Sequence, residues 1–287
     1  MDLTLKQCSD HLRQRLATRY PVGESDAMAR IVMEEMLNAS PVDVILRKDT
    51  TISAFMQEKI DKVVDRLLLG EPIQYIFGHM VFCGFQLKVT PDVLIPRPET
   101  EELVDMVVKR WRDVSDLDVL DVATGSGCIA VSLARALKFA KVSAIDISPE
   151  ALVVARENAK RLKVKVDYVQ ADARVLKEPE NPCYDIIVSN PPYVLDSERQ
   201  TMDANVLDYE PHLALFVPDD DALQFYHAIA RYAERALRPQ GMIYFEINSL
   251  KCAEVEELLV ALGFVEVESS VDMYGNQRFV VATKPKE

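Results

Sequence analysis

Leu117-Asp118-Val119-Leu120-Asp121-Val122-Ala123-Thr124-Gly125-Ser126-Gly127 is the stretch on which the fold turns. Its first six residues form a run of strand length, and its glycines open a helix predicted over residues 127–137. Glycine lets the backbone turn tightly and approach a ligand closely. The alternation continues downstream. Strands are predicted at 142–145, 164–169, 186–188 and 242–246. Helices are predicted at 149–162, with Pro149 at the first position, and at 222–237 and 250–262. A closing pair of strands is predicted at 265–267 and 278–283. Strand and helix in turn imply a mostly parallel sheet covered on both faces, an α/β fold.

Residues 1–71 read differently. Leu5, Cys8, Leu12 and Leu16 form one apolar stripe at helical spacing, and Met28, Ile31, Val32 and Met36 a second. Phe55, Met56, Ile60, Val63, Val64 and Leu67 form a third, closed by Gly70. Pro21 and Pro41 punctuate them. The expected structure is a helical bundle with Met28, Met33, Met36 and Met56 as core fillers. Residues 72–95 contain two β-like runs, Ile73-Gln74-Tyr75-Ile76-Phe77 and Phe85-Gln86-Leu87-Lys88-Val89, with Gly78 and Gly84 beside them. They are read as a β-hairpin linker. Pro91, Pro96 and Pro98 mark a stiff loop, and a helix is expected from about Glu99. The expected organisation is a helical domain over 1–71, a linker over 72–95 and an α/β domain over 96–287.

The chain has 287 residues, 49% hydrophobic and 28% charged, as a globular protein with a proper core requires. Its net charge of −13 argues against a nucleic-acid backbone as main partner, because phosphate contacts need clustered cations. Lys160, Arg161, Lys163 and Lys165 are the clearest basic group, and they read as the solvated end of a helix. Five scattered cysteines without a Cys-x-x-Cys pair read as reduced thiols. The four histidines have no metal-ligand spacing, and no metal site is expected. No apolar run is long enough to cross a bilayer and the N-terminus lacks a signal peptide's apolar core. A cytoplasmic monomer is expected.

Two places carry chemistry. The first is the glycine loop. Asp146 falls at the end of the next predicted strand, where a carboxylate accepts ribose hydroxyls, and Asp172 follows the third strand, within reach of a base edge. Gly125-x-Gly127-x-x-Ala130 also satisfies the dinucleotide fingerprint in its Gly/Ala form, so the loop alone barely separates NAD from S-adenosylmethionine. The second place is Asn190-Pro191-Pro192-Tyr193, after the apolar run Tyr184-Asp185-Ile186-Ile187-Val188-Ser189. In open α/β sheets ligands bind at that carboxyl edge. Two prolines fix φ and remove two backbone donors, so the Asn190 side chain and the Pro191 carbonyl stand together as a rigid acceptor pair beside the Tyr193 ring. Such a site suits a planar nitrogen, an amide or an exocyclic base amine. A bare Pro-Pro is more often a strand stop; the flanking Asn190 and Tyr193 and the glycine loop favour a site. The acceptors offer no hydride-transfer partner, and Asp121 could meet an amino group, which favours S-adenosylmethionine.

These residues resemble the release factor glutamine N5-methyltransferases of the PrmC/HemK family, over almost the whole chain. Leu94-Ile95-Pro96-Arg97-Pro98-Glu99-Thr100-Glu101 is similar to the family's entry to the catalytic domain, and Gln74-Tyr75-Ile76-Phe77-Gly78 with Phe82 and Gly84 to its linking hairpin. Glu210-Pro211 with Ala214-Leu215, and Asp272-x-x-Gly275-x-x-Arg278, also fit. Asn190-Pro191-Pro192-Tyr193 alone is shared with base amino-methyltransferases. Three positions depart from the pattern. Ala123 stands where a glycine is usual, Phe216-Val217-Pro218-Asp219-Asp220-Asp221 replaces a glycine-rich turn, and Asn248 replaces a glycine. The methyl of Ala123 is costly only if φ is positive there.

The resemblance implies a class I S-adenosylmethionine-dependent methyltransferase sheet, Rossmann-like, behind an N-terminal helical-bundle domain. It implies a glutamine in the Gly-Gly-Gln motif of peptide chain release factors as the substrate, and S-adenosylhomocysteine as the product. Cofactor contacts fall on Ala123, Thr124, Gly125, Ser126, Gly127, Asp146, Ala173 and Asn190, joined by Asp121 and Asp172. Substrate contacts fall on Asn190, Pro191, Pro192 and Tyr193 (Asn190, Pro191 and Tyr193 catalytic), with Arg97 and Glu99. The helical domain is expected to dock the release factor. The rival readings are an RNA or DNA base amino-methyltransferase and a catalytically silent methyltransferase fold that serves as a docking module. Neither a membrane nor a nucleic acid is an expected partner.

Overall fold

The computed structural model describes residues 3–286. The chain divides into two compact units, one ending at Gly78 and one starting at His79.

The first unit is helical: α1 (Leu5–Leu16), α2 (Val22–Leu37), α3 (Pro41–Leu46), α4 (Ala54–Leu69) and α5 (Ile73–Phe77). Thr4 caps α1 and exchanges hydrogen bonds with Gln7, a capping box that satisfies two otherwise orphaned N–H groups. Ser40 and Ser53 cap α3 and α4. Gly70 ends α4 at φ +97°, a conformation that favours glycine. Leu5, Cys8, Leu12 and Leu16 pack with Ala29, Val32, Met33, Ile60, Val63, Val64 and Leu67 to form the core. Phe55, expected in that core, is exposed. Residues 73–77, expected as a strand, are helical instead. Pro72 precedes them, Ile73 and Tyr75 are buried, and Gly78 closes the turn at φ +74°. β-branched and aromatic content misled there, because a run of five is too short for its period to decide.

The second unit opens with the hairpin of β1 (His79–Phe82) and β2 (Phe85–Lys88), followed by α6 (Pro98–Trp111). Then come β3 (Asp118–Val122), α7 (Cys128–Ala136), β4 (Lys141–Asp146), α8 (Pro149–Leu162), β5 (Val166–Gln170) and β6 (Tyr184–Ser189). The segment after β6 holds β7 (Val194–Leu195), α9 (Ala204–Tyr209) and β8 (Phe216–Val217). The chain closes with α10 (Gln224–Ala236), β9 (Leu237–Glu246), α11 (Cys252–Ala261), β10 (Val265–Val271) and β11 (Gln277–Thr283).

Seven strands form one sheet in the order β10-β11-β9-β6-β3-β4-β5. β9, β6, β3, β4 and β5 run parallel; β11 is reversed beside β9, and the edge strand β10, antiparallel to β11, runs in the same direction as the other five. Successive strand residues serve opposite faces. Val119, Ile186 and Val188 pack under α6, α7 and the hairpin, while Leu120, Val122 and Ile187 pack under α10 and α11. The hairpin is fastened to this unit by Phe82 and Leu87 in that core and by Asn158 of α8, which bonds the Lys88 backbone at both N–H and carbonyl. From β3 the chain winds outward through β4 to β5, then returns to place β6 on the other side of β3. The crevice at this reversal is where such sheets bind ligands.

β9 starts directly after α10 and bulges against β6. Tyr184 pairs with Leu237 but Ile186 with Met242. Within the bulge a Cβ on Gly241 would lie 2.9 Å from the Arg238 carbonyl oxygen and 3.0 Å from that of Asp185. Backbone atoms cannot yield there as a side-chain tip can. Gly241→Ala is therefore expected to cost about 1–3 kcal/mol, the usual scale of overpacking, measured as a lowered unfolding midpoint in denaturant; an unchanged midpoint would show that the bulge is compliant.

Candidate active site

The glycine loop spans the gap between β3 and α7, and one carboxylate shapes it. Asp121 is fully buried; its Oδ2 accepts from Thr124 Oγ1 at 2.5 Å and from the Ala130 N–H at 3.1 Å. Burial pushes its pKa up to about 7. Asp146, at the end of β4, holds the loop from the other side. Its Oδ2 accepts from the Gly125 N–H at 2.8 Å and its Oδ1 from the Ser148 N–H at 2.9 Å. Burial raises this carboxyl as well. Gly127 has φ +80°, and a Cβ there would stand 3.0 Å from both Ala155 Cβ and the Tyr168 hydroxyl. Conformation and space both demand glycine at this position.

The second half of the site hangs from β6. Ser189 Oγ donates to the Val122 carbonyl at 2.7 Å, which ties the two strand ends together at the reversal. Asn190 Nδ2 then donates to Thr100 Oγ1 at 3.2 Å. Thr100 donates to Glu246 Oε2 at 2.8 Å, and the Tyr193 hydroxyl donates to Glu246 Oε1 at 3.1 Å. Glu246 is 1% exposed, and burial pushes its pKa up to about 7. Arg278 donates to the Ile247 carbonyl and to Asp272, and lies 3.5 Å from the Tyr193 hydroxyl. Glu210, also buried, accepts from the Ile95 N–H and from Arg97.

A cavity opens at the reversal. Of the residues expected at the site, Ala123, Thr124, Gly125, Ser126, Asp146, Asp172, Ala173, Asn190 and Pro192 line it. Six do not: Asp121, Gly127, Pro191, Tyr193, Arg97 and Glu99. Asp121 and Gly127 stand behind the loop and hold its shape. Tyr193 sends its hydroxyl inward to Glu246, and burial raises its pKa strongly. Arg97 is spent on Glu210. Asp172 reaches the wall, but its carboxylate takes three side-chain contacts and a backbone N–H from Arg174, which holds its pKa low.

Thr100, Leu94, Leu213 and Phe225 also line the cavity, and sequence reasoning did not name them as site residues. Thr100 and Glu210 sat in motifs already quoted, but nothing in the sequence says that Thr100 meets Glu246, 146 residues away. Among the described residues no cluster of His, Cys, Asp and Glu could hold a metal, and no helix is long and apolar enough to cross a membrane.

Each of the three departures has a structural consequence. Phe216–Val217 pairs in parallel with Val194–Leu195, so the segment in place of the glycine-rich turn props the chain just past Tyr193. Asp219 accepts from Ser197, and Arg199 stacks 3.7 Å over the Phe216 ring. Asn248 donates to the Tyr193 carbonyl at 3.1 Å and to Glu198 at 2.7 Å, contacts no glycine side chain could make. Ala123 has φ +61°, so its methyl carries the left-handed penalty. That penalty is about 1–2 kcal/mol, offset in part by the entropy a glycine adds to the unfolded chain, about 0.4–1 kcal/mol. Ala123→Gly is expected to stabilise the protein by up to ~1 kcal/mol, a rise of roughly 2–4 °C in Tm for a domain of this size; calorimetry showing a fall would mean the methyl packs usefully.

Comparison with known proteins agrees with this geometry. Residues 119–208 match the family described as "Methyltransferase domain", and residues 7–78 match "PrmC N-terminal domain". The chain is 43% identical to a release factor glutamine methyltransferase of Bacteroides thetaiotaomicron, over 98% of this chain and 100% of that one. It is 40% identical to one of Flavobacterium psychrophilum, over 97% and 98%. Among solved structures, a methyltransferase from Pyrococcus furiosus aligns with a TM-score of 0.53 at 18% identity, over 77% of this chain and 98% of that one, which supports the fold alone. At 40–43% identity over nearly the full length of both proteins, the chain belongs to the release factor glutamine methyltransferase family.

Proposed function

We propose that the protein transfers a methyl group from S-adenosylmethionine to the side-chain amide nitrogen of the glutamine in the Gly-Gly-Gln motif of peptide chain release factors. The observation that carries this reading is Asn190. It lines the cavity from the carboxyl end of β6 with its N–H committed to Thr100, which leaves Oδ1 available as an acceptor. An amide nitrogen has no hydrogen-bond-accepting lone pair in its ground state, so an acceptor is what its N–H groups need.

The cavity fits the cofactor. Asp146 brings a carboxylate to a strand end beside the glycine loop, and Ser126, on the wall, has a buried hydroxyl without a hydrogen-bond partner. Ala123, Thr124, Gly125, Ser126, Asp146, Asp172, Ala173 and Asn190 would hold it. When bound it supplies a methyl on a sulfonium, already highly electrophilic, and leaves as S-adenosylhomocysteine. The protein's own task is alignment, which contributes up to roughly 7–11 kcal/mol in well-oriented reactions. In this reading Asn190 Oδ1 accepts from the substrate amide, which orients the nitrogen and favours the positive charge that builds on it. Pro191, which does not line the cavity, and Pro192 fix the turn that carries Asn190. Tyr193 shapes the turn from behind rather than stacking on the substrate. The methylated amide is strongly acidic and gives its extra proton to water without a dedicated base.

Glutamine is a common side chain, and one small cavity cannot choose a single glutamine in a proteome. We assign that choice to the helical unit. On α3, Val42, Ile45 and Leu46 are 61, 72 and 77% exposed, and their i, i+3, i+4 spacing puts them on one face. Replacing Ile45 and Leu46 together by Asp is expected to raise KM for whole release factor about tenfold, the effect of roughly 1.4 kcal/mol. A short Gly-Gly-Gln peptide should be methylated equally well by parent and variant. Equal KM on the whole protein would remove α3 from the docking surface.

The activity itself is tested with radiolabelled cofactor, offering whole release factor and bulk RNA in parallel. Label is expected in the release factor alone; label in RNA would establish the base-methylating alternative, and none in either a silent fold. Asn190→Ala should lose transfer by at least about 100-fold, since misplacement and loss of an acceptor act together, with an unchanged melting curve. Near-parental turnover would refute the acceptor role.

A further inference from the structure

We propose that Glu246 is a positioning residue that sets which face of the Asn190 amide meets the acceptor substrate, acting through the Thr100 hydroxyl. The inference rests on the glutamine-methylation reading above. An asparagine amide has one acceptor end and one donor end of nearly identical shape. The reaction tolerates only one orientation. Turned round, Asn190 would present N–H against the N–H of the incoming amide, and the site would repel its substrate.

The hydrogen-bond chain removes the choice. An ionised carboxylate accepts at both oxygens and donates at neither. Thr100 has a single proton, and with Glu246 Oε2 2.8 Å away that proton is given to it. The lone pairs of Thr100 Oγ1 are then what faces Asn190, so only the Nδ2 end can meet them, as it does at 3.2 Å. Tyr193 occupies the other oxygen, Oε1, at 3.1 Å, which keeps the carboxylate from turning. In its ionised form Glu246 cannot donate, and the direction of every bond in the chain then follows from it.

The surroundings of Glu246 argue that it is kept for this purpose. Thr100 and Glu99 face it from α6, Tyr193 from the turn after β6 and Arg278 from β11, while the Tyr226 hydroxyl on α10 takes its backbone carbonyl at 3.2 Å. The one cation in this set, Arg278, pairs with Asp272 and donates to the Ile247 carbonyl. Among the described residues Glu246 has no salt bridge. A buried carboxylate without a paired cation is costly, and packing alone would be served better by an apolar side chain. Two hydroxyls converging on it from separate elements are a reason to retain it. A glutamine could not substitute, because its amide accepts on one side only and would either orphan one hydroxyl or turn Thr100 round.

The test compares three variants of the full-length protein with the parent, on whole release factor at saturating cofactor. Thr100→Val removes the hydroxyl but keeps the shape, Thr100→Ser restores it, and Glu246→Gln keeps the shape but not the two acceptors. Thr100→Val is expected to lower kcat by about 100-fold while leaving KM for release factor and calorimetric cofactor affinity near parental values. Thr100→Ser should return kcat close to the parent, and Glu246→Gln should resemble Thr100→Val. A parental kcat in Glu246→Gln overturns the role of Glu246; should that variant fail to fold, the valine–serine pair still decides whether the Thr100 hydroxyl, on which that role depends, matters. Parental kcat in Thr100→Val overturns the proposal, and so does a serine variant as slow as the valine one, since space rather than the hydroxyl would then be responsible. A parent protein inactive on release factor would overturn the reaction reading itself and the proposal with it; an active parent with unaffected variants overturns the proposal alone.

Discussion

The buried carboxylate of Asp121 is the constraint from which the rest of the site is hung. It sits one residue before the end of β3 and reaches forward to both the loop, through Thr124, and the first turn of α7, through the Ala130 N–H. Strand, loop and helix are thereby fixed by one group. Burying an ionisable side chain costs free energy unless its oxygens are satisfied, and here one oxygen has two donors while the other has none. The fold accepts that cost directly behind the cavity wall formed by Ala123, Thr124, Gly125 and Ser126. Asp146 repeats the device from β4, bracing Gly125 and the start of α8 with its two oxygens. Two neighbouring strand ends thus hold the same loop, and the loop needs little intrinsic preference for its shape. That explains how Ala123 persists at φ +61°, where an isolated peptide would avoid it.

The acceptor half is built by a different principle, the meeting of segments distant in sequence. Glu210 clamps Ile95 and Arg97; Glu246 clamps Thr100 and Tyr193; Asp272 holds Arg278 beside Tyr193. Glu210 and Glu246 each fix donors from segments 53 to 146 residues away, while Asp272 holds Arg278 across the local turn between β10 and β11. The parallel neighbours β6 and β9 make this possible, since both strands deliver their carboxyl ends to one edge, where α6 begins. The result is a turn whose backbone is stiffened by two prolines and whose side chains are held from beneath.

The sheet, its order of helices and the carboxyl-edge position of the site were legible because periodicity and glycine placement are local signals. Asp121-to-Gly127 and Asn190-to-Tyr193 could be assigned to strand ends for the same reason. What could not be read was the third dimension of each residue. Tyr193 and Arg97 look like contact residues in a motif, yet both are committed to buried carboxylates, and which way a ring or guanidinium turns depends on partners 53 and 113 residues away. Residues 73–77 failed for another reason. Composition favoured a strand, while Pro72 and Gly78 delimit a single helical turn whose buried residues decide its state. β7 and β8, two residues each, leave no periodic trace at all.

The departures from the family pattern bear on how the site is held. A glycine at 248 or in place of Phe216 and Asp219 would carry no side chain to make the contacts seen here beyond Tyr193. This chain instead supplies a two-residue parallel ladder, an Asp219–Ser197 contact, an arginine stacked on Phe216 and an asparagine bridging Tyr193 to Glu198. Each such contact contributes about 0.5–1.5 kcal/mol net, and together they trade backbone freedom for side-chain order. In the reaction proposed above, a nucleophile as weak as an amide reacts only when its lone pair is directed at the methyl, and order around Asn190 serves that alignment. Rigidity near Asn190 can come from backbone geometry or from side-chain contacts, and in this chain the contacts of Asn248, Asp219 and Arg199 add to the stiffness of Pro191 and Pro192.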